Sequence, residues 1–201
     1  MEVAQTSRAP AVRSRGADLR LFAKNFLLHP YMLGSLIPSS RFLVDKVLAP
    51  VDWDRARVIV EYGPGVGTFT AEILQRMRAD ARLVAIETNL EFVQFMGSSL
   101  PDSRLYLEHG SAENVAHILR RHGLPRADYI VSGIPLGSMP KDLQSRIAIA
   151  SRDALETGGE FLVYQFTSRV LPVLRQTFAR VDRGVEFRNL PPAQLFVCRP
   201  G

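Results

Sequence analysis

In 201 residues there is one cysteine, Cys198, and four histidines, at 29, 109, 117 and 122. A single cysteine excludes an intrachain disulfide and any cysteine-based metal site, and the histidines are scattered. Only His117 and His122 fall on one short segment. That segment ends Arg120-Arg121-His122-Gly123, which reads as a helix C-terminus with cations on the negative end of the dipole and a glycine stop, so both histidines are expected to be solvated and no metal is expected. No apolar run approaches the roughly 20 residues that a membrane-crossing helix needs. The first residues carry charge without an apolar core, so no secretory signal is read and a cytoplasmic location is expected. There is no acidic excess either. Twenty-five Lys and Arg against 20 Asp and Glu give a formal charge of +5 and a pI near 9.8. That balance suits an anionic partner, nucleic acid or an acidic membrane face, and charge alone does not choose between them.

What is present is the composition of an ordinary globular chain, 46% hydrophobic and 22% charged, long enough for one domain with a substantial core. Residues 1–17 are short of large apolar side chains and read as a flexible basic tail. Residues 18–201 read as one domain, without internal repeats. From 19 to 28 a helical wheel places Leu19, Phe22, Ala23, Phe26 and Leu27 on one arc, bordered by Arg20 and Lys24, until His29-Pro30 ends it. Such a basic amphipathic helix either lies in a membrane interface or packs on the domain as a lid. A second helix is expected over 41–48, capped by Ser39 or Ser40.

Strands and helices then alternate. Strands are expected near 58–61, 83–87, 104–108, 129–132, 160–166, 183–188 and 194–199, and helices near 69–78, 90–100, 112–122, 141–155 and 170–179. Alternation implies right-handed crossovers and an α/β fold: a Rossmann-like, mostly parallel seven-stranded sheet with helices on both faces. The last two strands, joined only by 189–193, should form an antiparallel hairpin at the sheet edge.

The chemistry concentrates at EYGPGVG, residues 61–67, between the apolar run Val58-Ile59-Val60 and a helical segment. Strand, glycine loop and helix in that order place a nucleotide-like ligand. The dinucleotide spacing GxGxxG fails, because the third glycine arrives one residue early at Gly67 and Thr68 stands in its place. Glu61 would repel a pyrophosphate but suits the cationic methionine end of S-adenosylmethionine. Glu87, closing the next apolar run, suits two-oxygen bonding to ribose hydroxyls.

This pattern resembles the class I S-adenosylmethionine-dependent methyltransferases over about residues 40–199. The resemblance implies that Glu61, Gly63, Gly65 and Gly67, with Tyr62 and Pro64 between them, line the methionine side. Glu87 and Thr88 would meet the ribose, Ser111-Ala112 the adenine, and Ser132-Gly133 would complete the cofactor wall, with S-adenosylhomocysteine as product. That family often has Asp where Ser111 stands. Four further segments, GSLIPSSR (34–41), VSGIPLGSMP (131–140), YQFT (164–167) and RNLPPA (188–193), resemble the bacterial phospholipid N-methyltransferases and related ornithine-lipid methyltransferases. This narrower resemblance implies N-methylation of an amine head group such as that of phosphatidylethanolamine, with the enzyme peripheral at the inner membrane face and held there by its N-terminal helix.

Ribosomal RNA adenine methyltransferases share the sheet, but carry an Asn-Leu-Pro-Tyr type motif where this chain reads Gly133-Ile134-Pro135-Leu136. The amide and the ring that hold a flat base are both missing, and stacking alone contributes about 1–3 kcal/mol per base. A third reading is a chain that binds the cofactor without catalysis. For methyl transfer the candidate catalytic residues are Tyr164, Ser132 and Pro135, placed to orient a neutral amine and pass on its proton. Arg41 and Arg169 are candidates for a lipid phosphate, Met139 and Gln165 for further substrate contact, and a monomer is expected.

Overall fold

A computed structural model describes residues 40–201. The basic tail and the amphipathic helix expected at 19–28 lie outside the described residues. The described part opens with helix α1 (Arg41–Leu48), whose N-cap is Ser40: its hydroxyl accepts from the Leu43 amide at 3.2 Å. Such a cap is worth about 1 kcal/mol. Leu43, Val44, Val47 and Leu48 form the buried stripe of α1.

Seven strands follow: β1 (Val58–Tyr62), β2 (Arg82–Glu87), β3 (Leu105–His109), β4 (Ala127–Ser132), β5 (Leu155–Gln165), β6 (Arg180–Glu186) and β7 (Ala193–Arg199). Between them run α2 (Thr68–Arg76), α3 (Leu90–Ser99), α4 (Val115–Arg121), α5 (Lys141–Ala154) and α6 (Leu171–Thr177). The sheet order is β3-β2-β1-β4-β5-β7-β6; β1 to β5 are parallel, and β7 runs antiparallel to both β5 and β6. Strand order reverses beside β1, so the carboxyl ends of β1 and β4 open a crevice between two diverging crossovers.

The period of two in β1 sorts its side chains. Val58, Val60 and Tyr62 enter the core beneath α4, α5 and α6, whereas Ile59 enters the opposite core beneath α1 and α2. Glu61 therefore also lies on the α2 side. Being central, β1 is buried along its whole length, which is why it reads as a continuous apolar run broken only by that acid.

Three boundaries differ from expectation for identifiable reasons. β5 starts at Leu155, immediately after α5, and not near 160, because Thr157-Gly158-Gly159 forms a bulge within the strand: the register jumps from Ala127↔Leu155 to Tyr129↔Glu160. The helix expected over 112–122 is split into a 3-10 turn, Ala112–Asn114, capped by Ser111, and α4 proper. β6 begins at Arg180 and stops at Glu186, where the carboxylate turns back to accept from the Arg188 amide at 2.8 Å.

Candidate functional site

The loop leaving β1 is a tight turn closed by the Gly67 amide on the Pro64 carbonyl at 2.8 Å, with Pro64, Gly65 and Gly67 buried. Gly63, Gly65 and Gly67 have φ of +67°, +56° and +81°. Gly63 is doubly constrained: besides its left-handed φ, a Cβ there would stand 2.6 Å from Ile134 Cγ2. The β1 loop and the β4 loop are thus pressed together.

Two carboxylates meet this loop. Glu61 is 2% exposed and accepts a 2.7 Å hydrogen bond from the Thr70 hydroxyl on α2. Burial pushes its carboxyl up to about 8, helped by the charge of Glu87 and opposed by the Thr70 bond. Glu87, 5% exposed, accepts from the Gly65 amide on Oε2 at 3.2 Å and from the Asn89 amide on Oε1 at 2.9 Å, with a longer Thr88 hydroxyl contact of 3.4 Å. An ionised carboxylate takes about four hydrogen bonds, so lone pairs remain on both acids. A buried acid partnered only through Thr70, with no cation beside it among the described residues, fits a cation, and a second acid with free lone pairs nearby fits a diol. The residues therefore suit S-adenosylmethionine.

The remaining expected cofactor residues divide. The Tyr62 side chain points away from the loop: its hydroxyl meets Ser151 at 3.2 Å and its ring packs edge-on against Phe161, so only its backbone, which accepts from the Gly133 amide at 2.9 Å, faces the site. Ser111 lies two residues beyond β3, and its hydroxyl is engaged with Glu113 at 3.2 Å, while Ala112 is buried. Glu113 in turn binds Arg146 at 2.6 Å, an unforeseen link from this edge to α5. Thr88 is exposed. The expectation of solvated histidines fails at His122, which meets Glu108 at 2.5 Å and stacks on Tyr106 at 4.3 Å; His117 is exposed.

On the other side of the crevice, Ser132 is fully buried and its hydroxyl has no hydrogen-bond partner among the described residues. An unpaired buried hydroxyl is costly, so this one invites explanation by a ligand. The Tyr164 hydroxyl lies over Gly133, where a Cβ would come within 2.6 Å of it, and the ring stacks on Phe69 of α2 at 5.0 Å. Tyr164, Gly133 and Gly63 are therefore brought together.

Gln165 is engaged at both ends with backbone: Nε2 donates to the Ile134 and Tyr164 carbonyls at 2.8 Å each, and Oε1 accepts from the Gly137 amide at 3.2 Å. It fastens the β4 loop, and its amide has little left for a substrate. The Pro135 carbonyl accepts from the Ser138 amide at 2.9 Å, which leaves it one lone pair. Met139 is half-buried against the core below α5, and its carbonyl is held by Gln144 at 2.8 Å. Arg169 is exposed beside Gly137. Arg41 opens α1, its side chain 91% exposed with a loose 3.8 Å contact to Asp45.

Two positions escaped the sequence reading: Thr70, the partner of Glu61, and Phe69, the platform under Tyr164. Both occupy the first turn after the glycine loop, where residues point back at the strand end. That position was the available signal.

No protein-family model matches the chain. An ornithine lipid N-methyltransferase of Singulisphaera acidiphila is 32% identical over 188 residues, covering 90% of this chain and 96% of that one. A ribosomal RNA small subunit methyltransferase A of Laribacter hongkongensis is 28% identical over 99 residues, but these are 49% of this chain and 32% of the relative. Among solved structures, the O-methyltransferase TomG of Streptomyces achromogenes, in complex with SAM, superposes with a TM-score of 0.62 at 15% identity and 90% coverage of each chain. That likeness establishes the shared fold.

Proposed function

This chain belongs to the family of the ornithine lipid N-methyltransferases, and from that premise we propose that it methylates the amine head group of a membrane lipid, such as phosphatidylethanolamine, with S-adenosylmethionine as donor. The observation that carries the reading is the end-to-end match to that relative, in contrast to the partial match to the ribosomal RNA enzyme. The exit of β4 agrees with it. Gly133-Ile134-Pro135-Leu136 presents neither an amide nor a ring to a base.

S-adenosylmethionine, when bound, supplies a methyl group on a positively charged sulfur that a neutral amine takes by direct displacement. Glu61 would hold the cationic amino end of the methionine, and Glu87 the ribose, with the long Thr88 contact giving way to a hydroxyl. The unpaired Ser132 hydroxyl would complete that wall. The acceptor amine reaches the site as an ammonium and must lose a proton to expose its lone pair. An apolar surround and a fixed positive charge both lower an ammonium pKa. Tyr164, stacked on Phe69 and poised over Gly133, would accept a hydrogen bond from the amine, aim its lone pair and relay the proton to water.

The test is transfer of labelled methyl from S-adenosylmethionine to a total bacterial lipid extract and, in parallel, to ribosomal RNA. Label in mono-, di- or trimethylated amine lipid is expected. Label in RNA alone, or in neither, would overturn the lipid reading.

A further inference from the structure

We propose that the β6–β7 loop and the start of α1 form a membrane-docking surface that inserts apolar side chains into an anionic lipid interface at the mouth of the site. The proposal rests on the lipid-methylating reading given above.

Two of the most exposed large apolar side chains among the described residues lie on one loop: Phe187 is 77% and Leu190 83% exposed. Phe42, on α1, is 47% exposed. Isolated exposed apolar residues need no explanation, but these are tied into one surface. The Arg188 guanidinium lies 4.2 Å from the centre of the Phe42 ring, and buried Asn189 accepts from the Ser40 amide at 3.0 Å. Asn189 also donates to the Pro191 carbonyl at 2.8 Å, so the loop is held from inside while Phe187 and Leu190 point outward.

The setting is cationic. Arg41 and Lys46 on α1 and Arg188 on the loop stand against the two carboxylates Asp45 and Glu186, and Asp45 is also held by Arg76 at 2.5 Å. Glu186 is already matched by Arg188 at 3.1 Å and Lys46 at 3.6 Å, while Arg41 is almost free in solvent. Exposed apolar side chains with cations alongside, Arg188 over the Phe42 ring and Arg41 next to Phe42 in the chain, fit the boundary between acyl chains and anionic head groups.

Position supplies the last step. Glu186 pairs with Ala193, and the next residue, Gln194, pairs with Gln165 at the carboxyl end of β5. The preceding residue of β5 is Tyr164, whose hydroxyl overhangs Gly133. The loop therefore rises from the same sheet edge at which the acceptor amine would enter, and a bilayer held there would offer its head groups to that crevice.

The experiment uses the full chain. Phe187→Cys carries an environment-sensitive fluorophore, which buried Cys198 does not compete for, and the probe is vesicles of phosphatidylglycerol and phosphatidylcholine. The label is expected to be in water before vesicles are added and to shift to the blue afterwards. A label already shielded without vesicles would assign the patch to residues 1–39 or a second copy and overturn the proposal. In parallel, Phe187→Ser/Leu190→Ser should weaken vesicle partitioning roughly tenfold or more, with cofactor affinity and transfer to a monomeric short-chain amine lipid unchanged. Wild-type partitioning by the double variant would sink the surface while leaving the lipid reading intact. Loop insertion without methyl transfer to any lipid would do the reverse.

Discussion

The two walls of the crevice are built by opposite means. The wall after β1 and β2 concentrates charge and backbone strain in a short stretch: Glu61, Glu87 and three left-handed glycines, with Thr70 and backbone amides as partners. The wall after β4 and β5 has no buried charged side chain among the described residues, Arg169 beside Gly137 being exposed. Gln165 is committed to holding a loop there, and the buried Ser132 hydroxyl is left without a partner. A fixed cationic ligand demands the first construction. A pocket that must take up an amine and strip its proton gains from the second, since low polarity disfavours the ammonium.

The largest effect should come from breaking the seam between the walls. Gly63→Val places a Cβ within 2.6 Å of Ile134 Cγ2 and 3.4 Å of the Ile134 amide nitrogen, at a φ that an L-residue adopts at a cost of about 1–2 kcal/mol. Calorimetry should find cofactor affinity reduced at least ~100-fold. Gly65→Ala meets nothing within 4 Å, so it carries the strain alone and should do less. Equal affinity in the wild type and the Gly63 variant would mean that the walls do not need their contact.

Next in size is Tyr164→Phe, which keeps the stack on Phe69 and removes the hydroxyl over Gly133. If the second wall alone handles the amine, kcat falls about 100-fold while cofactor affinity stays put. A matching loss of cofactor affinity would erase the division between the walls.

Glu61→Gln tests the first wall in isolation. Burial raises the carboxyl from its ordinary 4.5 to about 8 in the free protein, so at pH 7 it is mostly neutral. A cation bound beside it favours the ionised form. Binding should therefore release close to one proton at pH 7, and affinity should climb with pH to about 8 and then level. The same shift makes the ligand-free protein less stable as pH rises from 4.5 to about 8, because the unfolded chain ionises first. The Gln variant should bind about 10- to 100-fold more weakly, the loss of one charged hydrogen bond. Its binding enthalpy should no longer depend on the buffer's ionisation enthalpy, and a persisting dependence would place the proton elsewhere.

The contrast also explains what could be read from sequence. The first wall is local: a strand-end acid, a five-residue glycine loop and a second strand-end acid are forced by backbone sterics and charge, and these leave marks on the residue types themselves. The second wall is assembled across distance. Nothing near Gln165 says that it will reach back to Ile134 and Gly137, 31 and 28 residues earlier, to fasten their loop. Phe69 carries no mark of its later stack on Tyr164. The same logic governs the fold. Thr157-Gly158-Gly159 has turn chemistry, and pairing with β4 keeps it in the strand as a bulge. Phe187 and Arg188 have strand chemistry, and the inward hydrogen bonds of Glu186 and Asn189 make them a loop.

The smallest effect is the sharpest test of how the walls share the ligand. Removing a buried hydroxyl that has no partner relieves a desolvation cost, so Ser132→Ala should leave thermal stability unchanged or slightly raised in the ligand-free protein. If that hydroxyl faces the bound cofactor, the variant should bind it several-fold more weakly, a neutral hydrogen bond being worth about 0.5–1.5 kcal/mol. The stabilisation that S-adenosylmethionine gives in a melting experiment should shrink accordingly. Lower stability without ligand, with affinity unchanged, would mean that the hydroxyl belongs to the core and that the second wall contributes to the acceptor alone.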